Sequence, residues 1–207
     1  MSIFDWIVAA IVVASLIYIS FALTVADWLV ALRKGQAVTL LPERGGRKWP
    51  LWTQIAMMVL GLAICVPLFY YGRIPLITMA VEIAILLDVI GLVLYLAGLT
   101  FTLWARSTLG KYWGISTSQQ VKLLDEHQLI QSGPYAFVRH PMYFGWWGCM
   151  FGLTLIYPVL AVCLLFVFSV ISFAGRARRE EVVLAERFGE EWIEYKKNTK
   201  MILPCVF

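Results

Sequence analysis

Charge is scarce in this chain. Asp, Glu, Lys and Arg make up 14% of its 207 residues, against about a quarter in soluble domains, which excludes an ordinary water-soluble fold. Histidine occurs only twice and cysteine four times. Cys65, Cys149 and Cys163 fall inside apolar runs and read as small hydrophobes, while Cys205 stands third from the end. Neither a disulfide framework, nor a zinc spacing, nor a prenylation box is visible, and no metal is expected. No Lys or Arg precedes Arg33, and the apolar run before it is too long for a signal-peptide core, so a retained helix is expected there.

What the chain has instead is apolar sequence. Hydrophobic residues account for 61% of it and the mean hydropathy is +0.79, the composition of an integral membrane protein. Five apolar runs stand out, roughly residues 6–32, 51–71, 79–104, 142–157 and 159–174. The first three exceed the roughly 20 residues that cross a bilayer. The last two are short and meet at Pro158, which predicts a tight helical hairpin. The expected fold is therefore an all-α integral membrane protein of about five transmembrane helices, the last two a short hairpin over 142–174. Residues 1–104 supply the N-terminal membrane helices, and 105–207 hold the polar chemistry.

The basic residues orient these runs. If the five alternate, 16 of the 17 Lys and Arg lie on one side, in 33–50, 105–140 and beyond 174, with only Arg73 opposite. The positive-inside rule then puts the N-terminus outside and the C-terminus in the cytoplasm. The net charge of +4 reflects that topology and makes no case for nucleic-acid binding. Asp27, Glu82 and Asp88 read as solvated or paired acids, Asp88 facing the bundle interior.

Polar chemistry is concentrated in residues 127–148, HQLIQSGPYAFVRHPMYFGWWG. Gly133 and Pro134 make a turn, and Pro141 bars helix at His140 while suiting the first position of the next helix. The segment 105–135 reads as a loop with short elements folded onto the inner helix ends. In the tail, Leu184, Phe188, Trp192 and Tyr195 form an apolar stripe at helical spacing. This predicts an inner helix continuing from the last membrane run, with a break at Gly189. Arg176 and Glu180, four apart, share its face, with Glu181 beside them.

The text HQLIQSGPYAFVRHPMYFGWW, followed by a hairpin, RARREEVVLAERFGEEWIEY and Pro204, resembles the isoprenylcysteine carboxyl methyltransferase family and its phospholipid methyltransferase relatives. The resemblance covers about residues 105–207 and implies an enzyme using S-adenosylmethionine, held by the loop and tail at the cytoplasmic face. It implies cofactor contacts from Gln120, His127, Gln128, Leu129, Ile130, Tyr135, Gly148, Phe151 and Glu180, with His140 and Tyr143 in the same motif. It places Arg176 against the substrate.

The residue types agree. A sulfonium, an amino acid end and an adenine call for carboxylates, aromatic faces and apolar walls. Glu180, Glu181, Tyr135, Tyr143, Trp146, Leu129 and Ile130 provide them. A carboxylate acceptor, the first expectation, is oriented by Arg176 and needs no base; an amine or thiol acceptor makes His140 or Glu181 the candidate base. The acceptor is expected to be a lipid or isoprenoid reached from the bilayer. Two other classes stay open: an NADPH-dependent reductase of the sterol-reductase type, whose C-terminal region is similar, and a non-enzymatic membrane protein. His127, His140, Glu180 and Glu181 are acceptable metal-ligand types without a diagnostic spacing.

Overall fold

The computed structural model describes residues 3–18, 79–112 and 128–204, together with Thr53 and Ala56. The chain divides into two compact units, Met1–Gln54 and Ile55–Phe207. In the first, the described element is α1 (Ile3–Ile17), the start of the first apolar run. The expected 51–71 crossing is described only at Thr53 and Ala56, both helical. The loops 33–50 and 113–127, with Asp27, Arg73, Cys65 and Cys205, lie outside the described residues.

The second unit is built from α2 (Val81–Leu109), α3 (Pro141–Ile156), α4 (Leu160–Phe188) and α5 (Glu190–Asn198). Tight 3-10 turns occupy Gly110–Tyr112 and Gly133–Ala136. Pro141 opens α3 as expected, with His140, non-helical at φ −121° and ψ 62°, as its N-cap. α3 stops at Ile156, just ahead of Pro158. At Gly189 a φ of 51° ends α4, a conformation that favours glycine, and α5 starts at the next residue.

One expectation needs correction: α2 does not give way to a loop at 105 but runs on through Leu109 into the first 3-10 turn. The expected continuation of the last membrane run into the charged tail is present: α3 has 16 residues, and α4, with 29, runs on to the break at Gly189. Hydropathy ends at Ala174, whereas the helix does not, because Arg, Glu, Leu and Ala continue it and no proline intervenes. α2 and α4 are long and apolar enough to cross a membrane. Their outward faces expose Ile83, Leu86, Val93, Leu164, Phe168 and Ile171, a surface suited to lipid.

α3 packs principally on α2 through a seam of glycines. A Cβ on Gly91 would stand 2.6 Å from the Gly152 carbonyl oxygen, and one on Gly98 2.7 Å from the Cys149 amide nitrogen. Small residues let the two backbones approach this closely. The Cys149 thiol donates across the seam to the Tyr95 carbonyl at 3.4 Å. Gly98→Ala is therefore expected to cost at least about 1 kcal/mol, since backbone rather than a flexible side chain would have to move. A thermal midpoint in detergent equal to wild type would show that the seam can open freely.

Candidate functional site

Where the basic ends of α3 and α4 meet, four elements converge on two adjacent carboxylates. Glu180 is approached from its own helix by Arg176, whose Nε lies 3.0 Å from Oε1, the i, i+4 pairing that helical geometry dictates. From α3 the Tyr143 hydroxyl donates to the same oxygen at 2.7 Å. From the turn before α3, His140 places Nδ1 3.4 Å from Oε2. Glu181 faces a different set: Arg139 Nε at 2.7 Å, Lys196 Nζ at 3.7 Å and His140 Nε2 at 3.7 Å. That last distance is within ion-pair range but beyond a hydrogen bond, and Nε2 is buried without a hydrogen-bond partner among the described residues.

An aromatic wall lines the cluster. The Tyr143 ring stacks on Phe173 at 4.9 Å and on His140 at 5.6 Å, and Trp146 meets Phe173 edge-on at 6.3 Å. Burial alone would push His140 to lose its proton, but its interaction with Glu180 and the nearby charge of Glu181 outweigh it and raise its pKa. Tyr135 is also raised, by burial first, then by Tyr195 and Glu180. Its carbonyl accepts a hydrogen bond from the Tyr195 hydroxyl at 2.7 Å, which ties the 3-10 turn to α5.

The His140 shift predicts a pH dependence of stability. A pKa raised on folding contributes stability that is fully present below about pH 6.5, the ordinary histidine value, and is lost as pH rises through the folded value. The thermal midpoint of the wild type should fall across that window, and His140→Gln should flatten the slope. Equal slopes in both proteins would mean that His140 carries no proton in the fold.

Of the residues singled out in the sequence, the structure brings His140, Tyr143, Arg176, Glu180 and Glu181 together, with Tyr135 near enough for the Glu180 charge to act on it. Gly148 lies along the seam, where a Cβ would sit 3.4 Å from Gly98 Cα. Phe151 is exposed and leans on Phe166 at 5.7 Å. Gln128 is exposed, Leu129 and Ile130 are half-buried, and Gln120 and His127 lie outside the described residues. A cleft of about 270 Å³ lined by Gln131, Ala136, Glu191, Glu194, Tyr195, Asn198 and Thr199 includes none of the clustered carboxylates. Sequence reasoning missed Arg139 and Phe173. Arg139 stood in view within the motif, but nothing local indicated that its partner is 42 residues away.

An all-helical membrane protein with a buried charged cluster at one end of its lipid-facing helices is the class that this geometry defines. Residues 89–186 match the model of the isoprenylcysteine carboxyl methyltransferase family, and across this region the chain resembles that family. It is 39% identical over 85 residues to protein-S-isoprenylcysteine O-methyltransferase of Homo sapiens, covering 40% of this chain and 29% of that protein. It is 38% identical over 97 residues to the protein of the same name from Saccharomyces cerevisiae, 45% and 40% of the two chains. With the Xenopus laevis protein of that name it shares 34% over 123 residues, 58% and 41%. The matches thus span 29% to 41% of the length of these curated relatives. Among solved structures, the eukaryotic intramembrane Ras methyltransferase, isoprenylcysteine carboxyl methyltransferase, shares the fold with a TM-score of 0.52. Identity there is 22%, with 76% of this chain and 55% of that chain covered.

Proposed function

We propose that this protein transfers a methyl group from S-adenosylmethionine to the carboxylate of an isoprenoid or lipidic acceptor at the cytoplasmic face of a membrane. The observation that carries this reading is the engagement of both candidate bases. Glu181 is ion-paired to Arg139 and Lys196, and His140 lies between two carboxylates that raise its pKa. Neither group is disposed to accept a proton, which favours a nucleophile that is already an anion. The family resemblance over 89–186 points the same way.

The residues suit the donor. Glu180 offers a carboxylate, the stacked Tyr143 and Phe173 offer aromatic faces, and His140 Nε2 is a buried polar atom lacking a hydrogen bond. Leu129, Ile130 and Tyr135 supply apolar wall, and Gln120, His127, Gln128, Gly148 and Phe151 complete the set that the resemblance implies. When bound, the donor supplies an activated methyl on a sulfonium. Arg176, two residues past the last apolar residue of the membrane run, orients the acceptor carboxylate at headgroup depth with its planar fork. Tyr143, Phe173 and Trp146 keep the space between them dry, so transfer depends chiefly on alignment.

The test is label transfer from methyl-labelled donor to an S-prenylcysteine, with an amine phospholipid in parallel. Ester product returns its label as methanol in alkali. Label held in a base-stable product, or nicotinamide oxidation with no transfer, would overturn the assignment.

A further inference from the structure

Arg139 is almost completely buried, yet it touches three parts of the chain. Its Nε donates to Glu181 on α4 at 2.7 Å, and its Nη1 donates to the carbonyls of Lys196, at 3.4 Å, and Thr199, at the end of α5. Its guanidinium carbon lies 5.8 Å from the ring centroid of Trp192, itself buried. The backbone repeats the attachment. Val138 forms a parallel bridge with Lys200, the Arg139 amide donates to the Lys200 carbonyl at 2.8 Å, and the His140 amide to the Met201 carbonyl at 2.9 Å.

The two neighbouring carboxylates are therefore divided between tasks. Glu180 is taken up by Arg176, Tyr143 and His140 Nδ1; Glu181 is taken up by Arg139 and Lys196. We propose that Arg139 is a positioning residue: with Glu181 it forms a buried clamp that docks α5 and the 199–202 segment beneath the 138–140 turn, and so fixes the His140 ring against Glu180. This rests on the reading of the Glu180 cluster as the transfer site, but it adds that Glu181 acts through Arg139 and not as a base. Lysine in place of arginine keeps one positive charge but cannot reach a carboxylate and two carbonyls at once.

The groups facing His140 are Glu180 and Glu181 from α4 and Tyr143 from α3, with Arg139 preceding it in the chain. Arg176 and Lys196 reach it through their carboxylates. The chain holds only two histidines, so ring signals in full-length protein are readily assigned by NMR. Arg139→Lys loosens the hold on Glu181, which can then pair directly with Nε2; Glu181→Gln removes that charge. The His140 titration midpoint should move up in the first variant and down in the second, each by about half a pH unit or more. Amide exchange at Arg139 and His140 should accelerate at least about tenfold in both, as the 199–202 segment lets go. In Arg139→Lys, kcat should fall about tenfold with donor KM within about twofold.

Unchanged titration and exchange in Arg139→Lys would overturn the clamp. If that variant does not fold, Glu181→Gln carries the same two measurements; loss of the fold in both would make the pair a folding element and end the positioning role. Titration and exchange need no substrate, so a wild-type protein that transfers no methyl group refutes the proposed function while the clamp is still decided on its own.

Discussion

Arg176→Lys is expected to lower methyl transfer by one to two orders of magnitude, a loss of about 1.4 to 2.8 kcal/mol in transition-state stabilisation. Donor affinity should stay within about a factor of two. Arg176 is the most exposed of the groups around Glu180, at 27% against 17% for the Glu180 side chain itself. It stands two residues beyond Ala174, where the apolar run ends, which under the proposed function is where an acceptor with its tail among lipid chains presents its head. A planar fork there can hold a carboxylate in one orientation, which an ammonium on a flexible stem cannot. Lysine still pairs with Glu180, so the donor side of the site is preserved. Transfer kinetics and donor binding measured on the same variant decide the matter: if both fall together, Arg176 belongs to the cofactor site or to the fold.

Glu180→Gln should act in the opposite place. Its carboxylate receives Tyr143, Arg176 and His140, and the amide that replaces it accepts less strongly and bears no charge. Hydrogen bonds to charged groups contribute about 1.5 to 3 kcal/mol, so donor affinity is expected to drop roughly a hundredfold. Calorimetry in detergent measures it. The substitution also leaves the positive charges of Arg176 and His140 less compensated, so the His140 midpoint should fall, which ring NMR reads independently. Donor affinity equal to wild type would remove Glu180 from the cofactor site.

Much of this site was visible before any coordinates. Arg176 and Glu180 pair because residues four apart on a helix are neighbours, and Pro141 starts α3 because its missing amide costs nothing there. The stripe of Trp192 and Tyr195 was legible for the same reason, and both are buried. The glycine seam was not. Gly91, Gly98, Gly145 and Gly152 are ordinary in membrane helices, and only the approach of α2 to α3 shows that no Cβ fits between them.

Composition and helical period were enough for the class of protein and the faces that carry the carboxylates, because these depend on transfer to lipid and on repeats of a few residues. Which groups meet at the two carboxylates was a matter for the tertiary structure. Tyr143 meets Glu180 across 37 residues, Arg139 meets Glu181 across 42, and Val138 meets Lys200 only because α4 and α5 return the chain to its own turn. Such pairings leave no periodic trace, and they decide which carboxylates face the His140 ring.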